Sequence, residues 1–286
     1  MFDHAYKPQS VTPWQNAVAL RRFTKPQTRL FLFSSVAPLA LSACGGGGGT
    51  PAEEFEPVPF YEIPELPTYT LDDLIAVAAG DLELDLEQDY ALAADLADIE
   101  LLDALDAPEA LAPARLELSG SLTVPATGDD VPTLSGNIHF LGATVNIGAA
   151  EGVTTARLNI ESESEEGDLI VLREGTDVNI DAAYALAVVR LGAQLDMIQT
   201  STLDIVSQDE DLPADFPISA RLVIGGPESA GVTMIGEGTA INLEGHRPQI
   251  MIGAHEADTP ASLIVVAGAE INLTAEDFGP EITSAS

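Results

Sequence analysis

The feature that most restricts the fold is a unit that returns five times in the second half of the chain. A glycine is followed by a small or polar pair, then an apolar residue, Asn or Asp, and another apolar residue. It reads Gly142-Ala-Thr-Val-Asn-Ile147, Gly175-Thr-Asp-Val-Asn-Ile180, Gly192-Ala-Gln-Leu-Asp-Met197, Gly238-Thr-Ala-Ile-Asn-Leu243 and Gly268-Ala-Glu-Ile-Asn-Leu273. Alternation with a two-residue period is a strand, with the aliphatics on one face and Asn or Asp on the other. The glycine supplies a left-handed turn residue or a kink. Short β-branched runs fill the region between turn clusters, at 116–124, 134–147, 155–160, 169–180, 186–197, 218–224, 232–243, 250–252 and 263–273. Residues 114–286 are therefore expected to form a mainly β domain, an antiparallel barrel or sandwich built of glycine-punctuated hairpins. The glycines are spaced 33, 17, 46 and 30 residues apart. A strict solenoid keeps one period, so this irregularity favours hairpins. The alternative is a parallel β-helix whose Asn residues stack as ladders.

Charge is distributed very unevenly. The net charge is −35, but Lys7, Arg21, Arg22, Lys25 and Arg29 all lie in the first thirty residues, with Asp3 as the only acid there. From Cys44 onward there are 45 acids, six arginines and no lysine, a net of −39. A body so anionic repels phosphate backbones and excludes nucleic acid as a partner. Four of the six arginines sit between apolar neighbours: Arg115, Arg157 and Arg221 in Ala-Arg-Leu, and Arg190 in Val-Arg-Leu. They are expected to project outward and bridge carboxylates on adjacent strands. Self-repulsion at this charge predicts a body stabilised by salt or Ca²⁺.

Residues 30–43 form a run of 14 without charge, ending in Leu41-Ser42-Ala43-Cys44, and Cys44 is the only cysteine. The run is shorter than the about 20 residues a membrane span needs, and fits the apolar region of an export signal. Leu41-Ser42-Ala43-Cys44 resembles the lipobox of bacterial lipoproteins. That resemblance implies cleavage between Ala43 and Cys44, a covalent lipid on Cys44 and attachment to the membrane through it. In such lipoproteins Gly45, rather than aspartate, after the cysteine implies the outer membrane. Five glycines, Gly45 to Gly49, and then Pro51, Pro57, Pro59, Pro64 and Pro67 read as a flexible and then stiffer tether. The lipobox, polyglycine, acidic stalk and β domain together resemble surface lipoproteins of the transferrin-binding-protein-B-like kind. That likeness implies an eight-stranded barrel binding a protein ligand outside the cell.

The organisation expected is thus a signal peptide at 1–43, a lipidated tether at 44–69, an acidic mixed helix and strand segment at 70–113, and the β domain. In the acidic segment Thr70 caps a short helix with Asp72 and Asp73 in its first turn. Asp81, Glu83, Asp85, Glu87 and Asp89 then alternate as a strand face. Five such carboxylates offer oxygens for a weak Ca²⁺ site, and the same pattern also makes a solvated face. From Tyr90 through Leu92, Leu96, Ile99 and Leu102 the spacing predicts a helix. The histidines His139, His246 and His255 form no His-Glu-x-x-His, and Gly225-Gly-Pro-Glu-Ser-Ala-Gly231 lacks the spacing of a nucleophile elbow. The expected function is a non-enzymatic, lipid-anchored module for ligand binding or adhesion; the alternative is a self-associating β-repeat protein of the cell envelope.

Overall fold

In the computed structural model the described residues are Leu39–Ala40 and 63–284, apart from 83, 85–87, 99–112, 127–130, 150–153, 163–166, 209–218, 227–229, 254–260 and 276–280. Two residues (β1, Leu39–Ala40) and three (β2, Thr68–Thr70) precede the helix α1 (Leu71–Ala79). The expected cap is there: the Thr70 hydroxyl accepts from the Asp73 amide at 3.2 Å, and the Asp73 carboxylate accepts from the Thr70 amide at 2.8 Å. Gly80, at φ +80°, closes the other end.

Between 90 and 98 the helix expected from apolar spacing is replaced by a strand, β3 (Ala91–Asp95), and a 3-10 turn, Leu96–Asp98. Ala91, Leu92 and Ala94 are all buried, so the strand is covered on both faces and its apolar residues carry no two-residue alternation. The same residues fall at helical intervals by coincidence. Ile99 and Leu102 lie outside the described residues. The strand expected at 81–89 is absent at Asp81 and Asp89.

The chain then winds through repeated coils of three strands. They are β4 (Arg115–Ser119), β5 (Ser121–Ala126) and β6 (Thr133–Leu134); β7 (Asn137–Leu141), β8 (Thr144–Ala149) and β9 (Thr155–Glu161); β10 (Leu169–Arg173), β11 (Asp177–Ala182) and β12 (Tyr184–Arg190). They continue as β13 (Gln194–Met197), β14 (Thr202–Ser207) and β15 (Ala220–Ile224); β16 (Val232–Ile235), β17 (Ala240–Gly245) and β18 (Gln249–Ile252); β19 (Ser262–Val265), β20 (Glu270–Ala275) and β21 (Glu281–Ser284). The first strands of each coil, with β2 and β3, form one sheet; the second and third strands form two more. Every pairing from β2 to β21 is parallel, each strand bonding its counterpart one coil away. Only β1 is antiparallel, against β19.

This parallel β-solenoid overturns the antiparallel barrel or sandwich, and with it the eight-stranded barrel implied by the lipoprotein resemblance. The glycines mislead for a definable reason. Gly142, Gly175, Gly238 and Gly268, all with φ between +57° and +87°, turn the chain from the first sheet into the second. Gly192 has the same conformation but turns it from the third sheet into the first. At the β13–β14 corner Gln199 and Thr200 take φ of +55° and +65° without a glycine. Counted between true counterparts, Asn146, Asn179, Asp204, Asn242 and Asn272, the coils are 33, 25, 38 and 30 residues apart. The variation lies in the connections. Ala183 alone joins β11 to β12, whereas twelve residues, 208–219, join β14 to β15.

Stacking of like residues holds the coils together. In the second sheet Leu122, Val145, Val178, Leu203, Ile241 and Ile271 form one inward row, and Val124, Ile147, Ile180, Ile205, Leu243 and Leu273 the next. Facing them from the third sheet are Leu158, Ala187, Leu222 and Ile250. Each fully buried aliphatic contributes roughly 1.5–3 kcal/mol. The first sheet is buried on both faces. Ile170 and Leu172 point into the core, and the outward Leu169 and Val171 are also buried.

A polar groove and an arginine face on opposite sheets

The outward positions of the second sheet are fixed by the inward rows on either side of them. They bring Thr123, Asn146, Asn179, Asp204, Asn242 and Asn272 into one line, each in register with the next. The amides bond along it. Asn179 Nδ2 donates to Asn146 Oδ1 at 3.0 Å, Asn242 Nδ2 to Asp204 Oδ1 at 2.6 Å, and Asn272 Nδ2 to Asn242 Oδ1 at 2.8 Å. A second line runs beside it: Gly148, Asp181, Val206, Glu244 and Thr274. Together the two lines floor a groove of about 740 Å³ that spans six strands, β5 to β20. Among the described residues its charged lining is Asp181, Asp204 and Glu244, with no basic residue. Burial pushes the Asp181 carboxyl above the usual carboxylate range, and the bond it accepts from Gln208 Nε2 opposes this.

The third sheet carries three arginines, Arg157, Arg190 and Arg221, beside the acids Glu161 and Glu281. Its outward line reads Arg157, Leu186, Arg221 and Gln249, one residue per strand, and Glu281 follows in register on the last strand. Arg157 Nε donates to Asn159 Oδ1 at 2.6 Å rather than to a carboxylate. Its guanidinium is held below the usual arginine range by burial and by the neighbouring Arg190, against the pull of Glu161. Arg221 Nε is buried without a hydrogen-bond partner among the described residues. Arg190 makes the bridge expected of it, 2.7 Å to Glu161 on the adjacent strand. Arg115 lies instead on the first sheet, where Glu117 holds it at 2.7 Å and Arg173 at 3.3 Å. Next to that cluster His139 is fully buried in register with Glu117, and neither ring nitrogen has a hydrogen-bond partner among the described residues. Burial, Arg115 and Arg173 together hold its pKa well below the ordinary histidine value.

Of the residues singled out from sequence, Ala43, Cys44, Glu83, Asp85, Glu87 and His255 lie outside the described residues. Asp81 and Asp89 are exposed and not in a strand. Among the described residues no three His, Cys, Asp or Glu side chains gather as a metal site. Sequence reasoning placed the Asn residues outside and named the ladder as the mark of a β-helix. It missed that Asp181 and Glu244 share one line, because their separation depends on coil lengths set by loops. No protein-family model matches this chain, and no curated protein or solved structure matches it either.

Proposed function

We propose that the protein is a non-enzymatic interaction module of the bacterial envelope, anchored in the outer membrane by a lipid on Cys44. Its β-solenoid offers the groove of the second sheet to a partner. The observation that carries this reading is the ladder itself. Its polar groups repeat at one strand spacing and bond to one another, instead of converging on a point as the groups of a reaction centre do. A lining with three carboxylates and no base suits a neutral or cationic partner surface. The apolar run at 30–43 and the lone cysteine after it support the anchor, and the cleavage it requires would release Leu39–Ala40 (β1) from β19.

A second reading, self-association within the envelope, is favoured, among the described residues, by a groove lined by carboxylates without a base and by Arg157 and Arg221 on another sheet without a carboxylate hydrogen bond. The groove is tested by capture from the organism's own surroundings, using the full chain and an Asp181→Ala, Asn242→Ala, Glu244→Ala variant as baits. A partner held equally by both would contradict its role. The anchor is tested separately. Cys44→Ala is expected to move the protein from the membrane to the soluble fraction, and unchanged membrane retention would contradict lipidation.

A further inference from the structure

The outward line of the third sheet and the second line of the groove are complementary position by position. Along four successive strands the third sheet reads Arg157, Leu186, Arg221, Gln249, with Glu281 on the next strand beyond this stretch. Along four successive strands the groove reads Asp181, Val206, Glu244, Thr274. Cation stands against anion, aliphatic against aliphatic, cation against anion, and amide against hydroxyl. The spacing agrees as well. Arg157 and Arg221 are two strands apart, and so are Asp181 and Glu244, which makes both separations about 9.5 Å at the common parallel-strand spacing. The lines belong to different sheets of the same body, so one copy cannot bring them together. Two copies side by side can.

We infer that the partner of the groove is a second copy of this chain, whose third sheet lies along it with a shift of one coil. This rests on the reading of the groove as an interaction surface. In that arrangement Arg157 meets Asp181 of the neighbouring copy, Leu186 meets Val206, and Arg221 meets Glu244. Two local features point the same way. Arg157 and Arg190 repel one another within a body of strong negative charge. Arg221 has no ion pair among the described residues, and its Nε has no hydrogen-bond partner. Arg221 without an ion pair among the described residues and a carboxylate groove without a base among its described lining are each incomplete alone. The contact joins two different surfaces, so a pair of copies keeps one free groove and one free arginine face, and further copies can add at either end.

The test uses the full chain carrying Cys44→Ser, so that no acyl chain contributes, followed by sedimentation velocity. The wild-type faces are expected to give species larger than a monomer at about 50 mM salt and monomer at about 500 mM, because screening shortens the reach of these charges. Arg157→Glu with Arg221→Glu is expected to be monomeric at both. So is Asp181→Arg with Glu244→Arg. Mixed in equal amounts, the two variants present opposite charges to each other again and are expected to regain association. Circular dichroism confirms that each variant folds; if either does not, Arg157→Gln with Arg221→Gln or Asp181→Asn with Glu244→Gln takes its place and is expected to weaken association at least tenfold. A monomeric wild type at low salt overturns the inference, and so does association that survives either reversal, or a mixture of the two reversal variants that stays monomeric. A monomeric chain that still captures another molecule through the groove would leave the interaction reading standing and overturn this one alone.

Discussion

The buried imidazole of His139 makes the stability of this body depend on pH in a direction that can be worked out in advance. It lies on the outward side of the first sheet, between Glu117 and Val171 in the register. Burial, Arg115 and Arg173 disfavour its protonated form, while Glu117 is bound to both arginines. In the unfolded chain the same ring titrates near pH 6.5. Because the folded-state pKa is depressed, the folded state loses ground as pH falls below that value, where only the unfolded chain takes up the proton. The loss approaches about 1.4 kcal/mol per pH unit, so it sums to about 1.4 kcal/mol between pH 7.5 and 5.5. Carboxylates elsewhere titrate over part of this range, so the quantity to measure is a difference. His139→Leu removes the imidazole and keeps an apolar side chain of similar bulk. It also removes two unpaired ring nitrogens, so the variant is expected to be the more stable at pH 7.5 by about 1–3 kcal/mol. Urea unfolding at fixed ionic strength, run at both pH values, gives the two stability gaps. The gap is expected to widen by about 1.4 kcal/mol at the lower pH. A gap that is constant, or that narrows, would refute the reasoning.

Three further outcomes follow from particular contacts. Glu117→Ala leaves the buried Arg115 and the half-buried Arg173 without their shared carboxylate, and is expected to cost about 3 kcal/mol by urea unfolding; Glu117→Gln is expected to cost less. Gly231→Ala would press a methyl against the Val189 carbonyl oxygen, a backbone atom that cannot turn aside, and is expected to cost about 1–3 kcal/mol. Self-repulsion among the acids predicts a melting temperature that rises from low salt to 1 M salt, and again with millimolar Ca²⁺ at low salt; a melting temperature unmoved by either would contradict that account.

Strand content was legible because alternation is a local property: Val178-Asn179-Ile180 and Ile241-Asn242-Leu243 announce one buried and one polar face without any knowledge of their neighbours. The capped helix at Thr70 was legible for the same reason, its signal lying within four residues. Strand direction was not. A glycine with positive φ looks the same in sequence whether it reverses the chain into a hairpin or bends it around a corner, and only its partner strand distinguishes the two. Gln199 and Thr200 made this harder by taking a glycine's place at one corner. The first sheet hid its nature differently. Leu169-Ile-Val-Leu172 is covered on both faces, so its continuous apolar run shows no period at all. The groove was half legible. Its asparagines could be assigned to an outer face, but which of them meet depends on loops such as 208–219 that change coil length without changing coil shape.

That separation of loop length from coil shape bears on how such a protein can change over generations. Each coil touches chiefly the one before and the one after, so stability accumulates coil by coil rather than through a single closed core. Duplicating or deleting one coil would therefore leave the remaining interfaces intact and alter the length of the body by one strand spacing, about 4.8 Å. Loops at the corners can lengthen independently. Length and surface thus become separate heritable variables: one sets how far the body extends, and the other sets what it presents along the way.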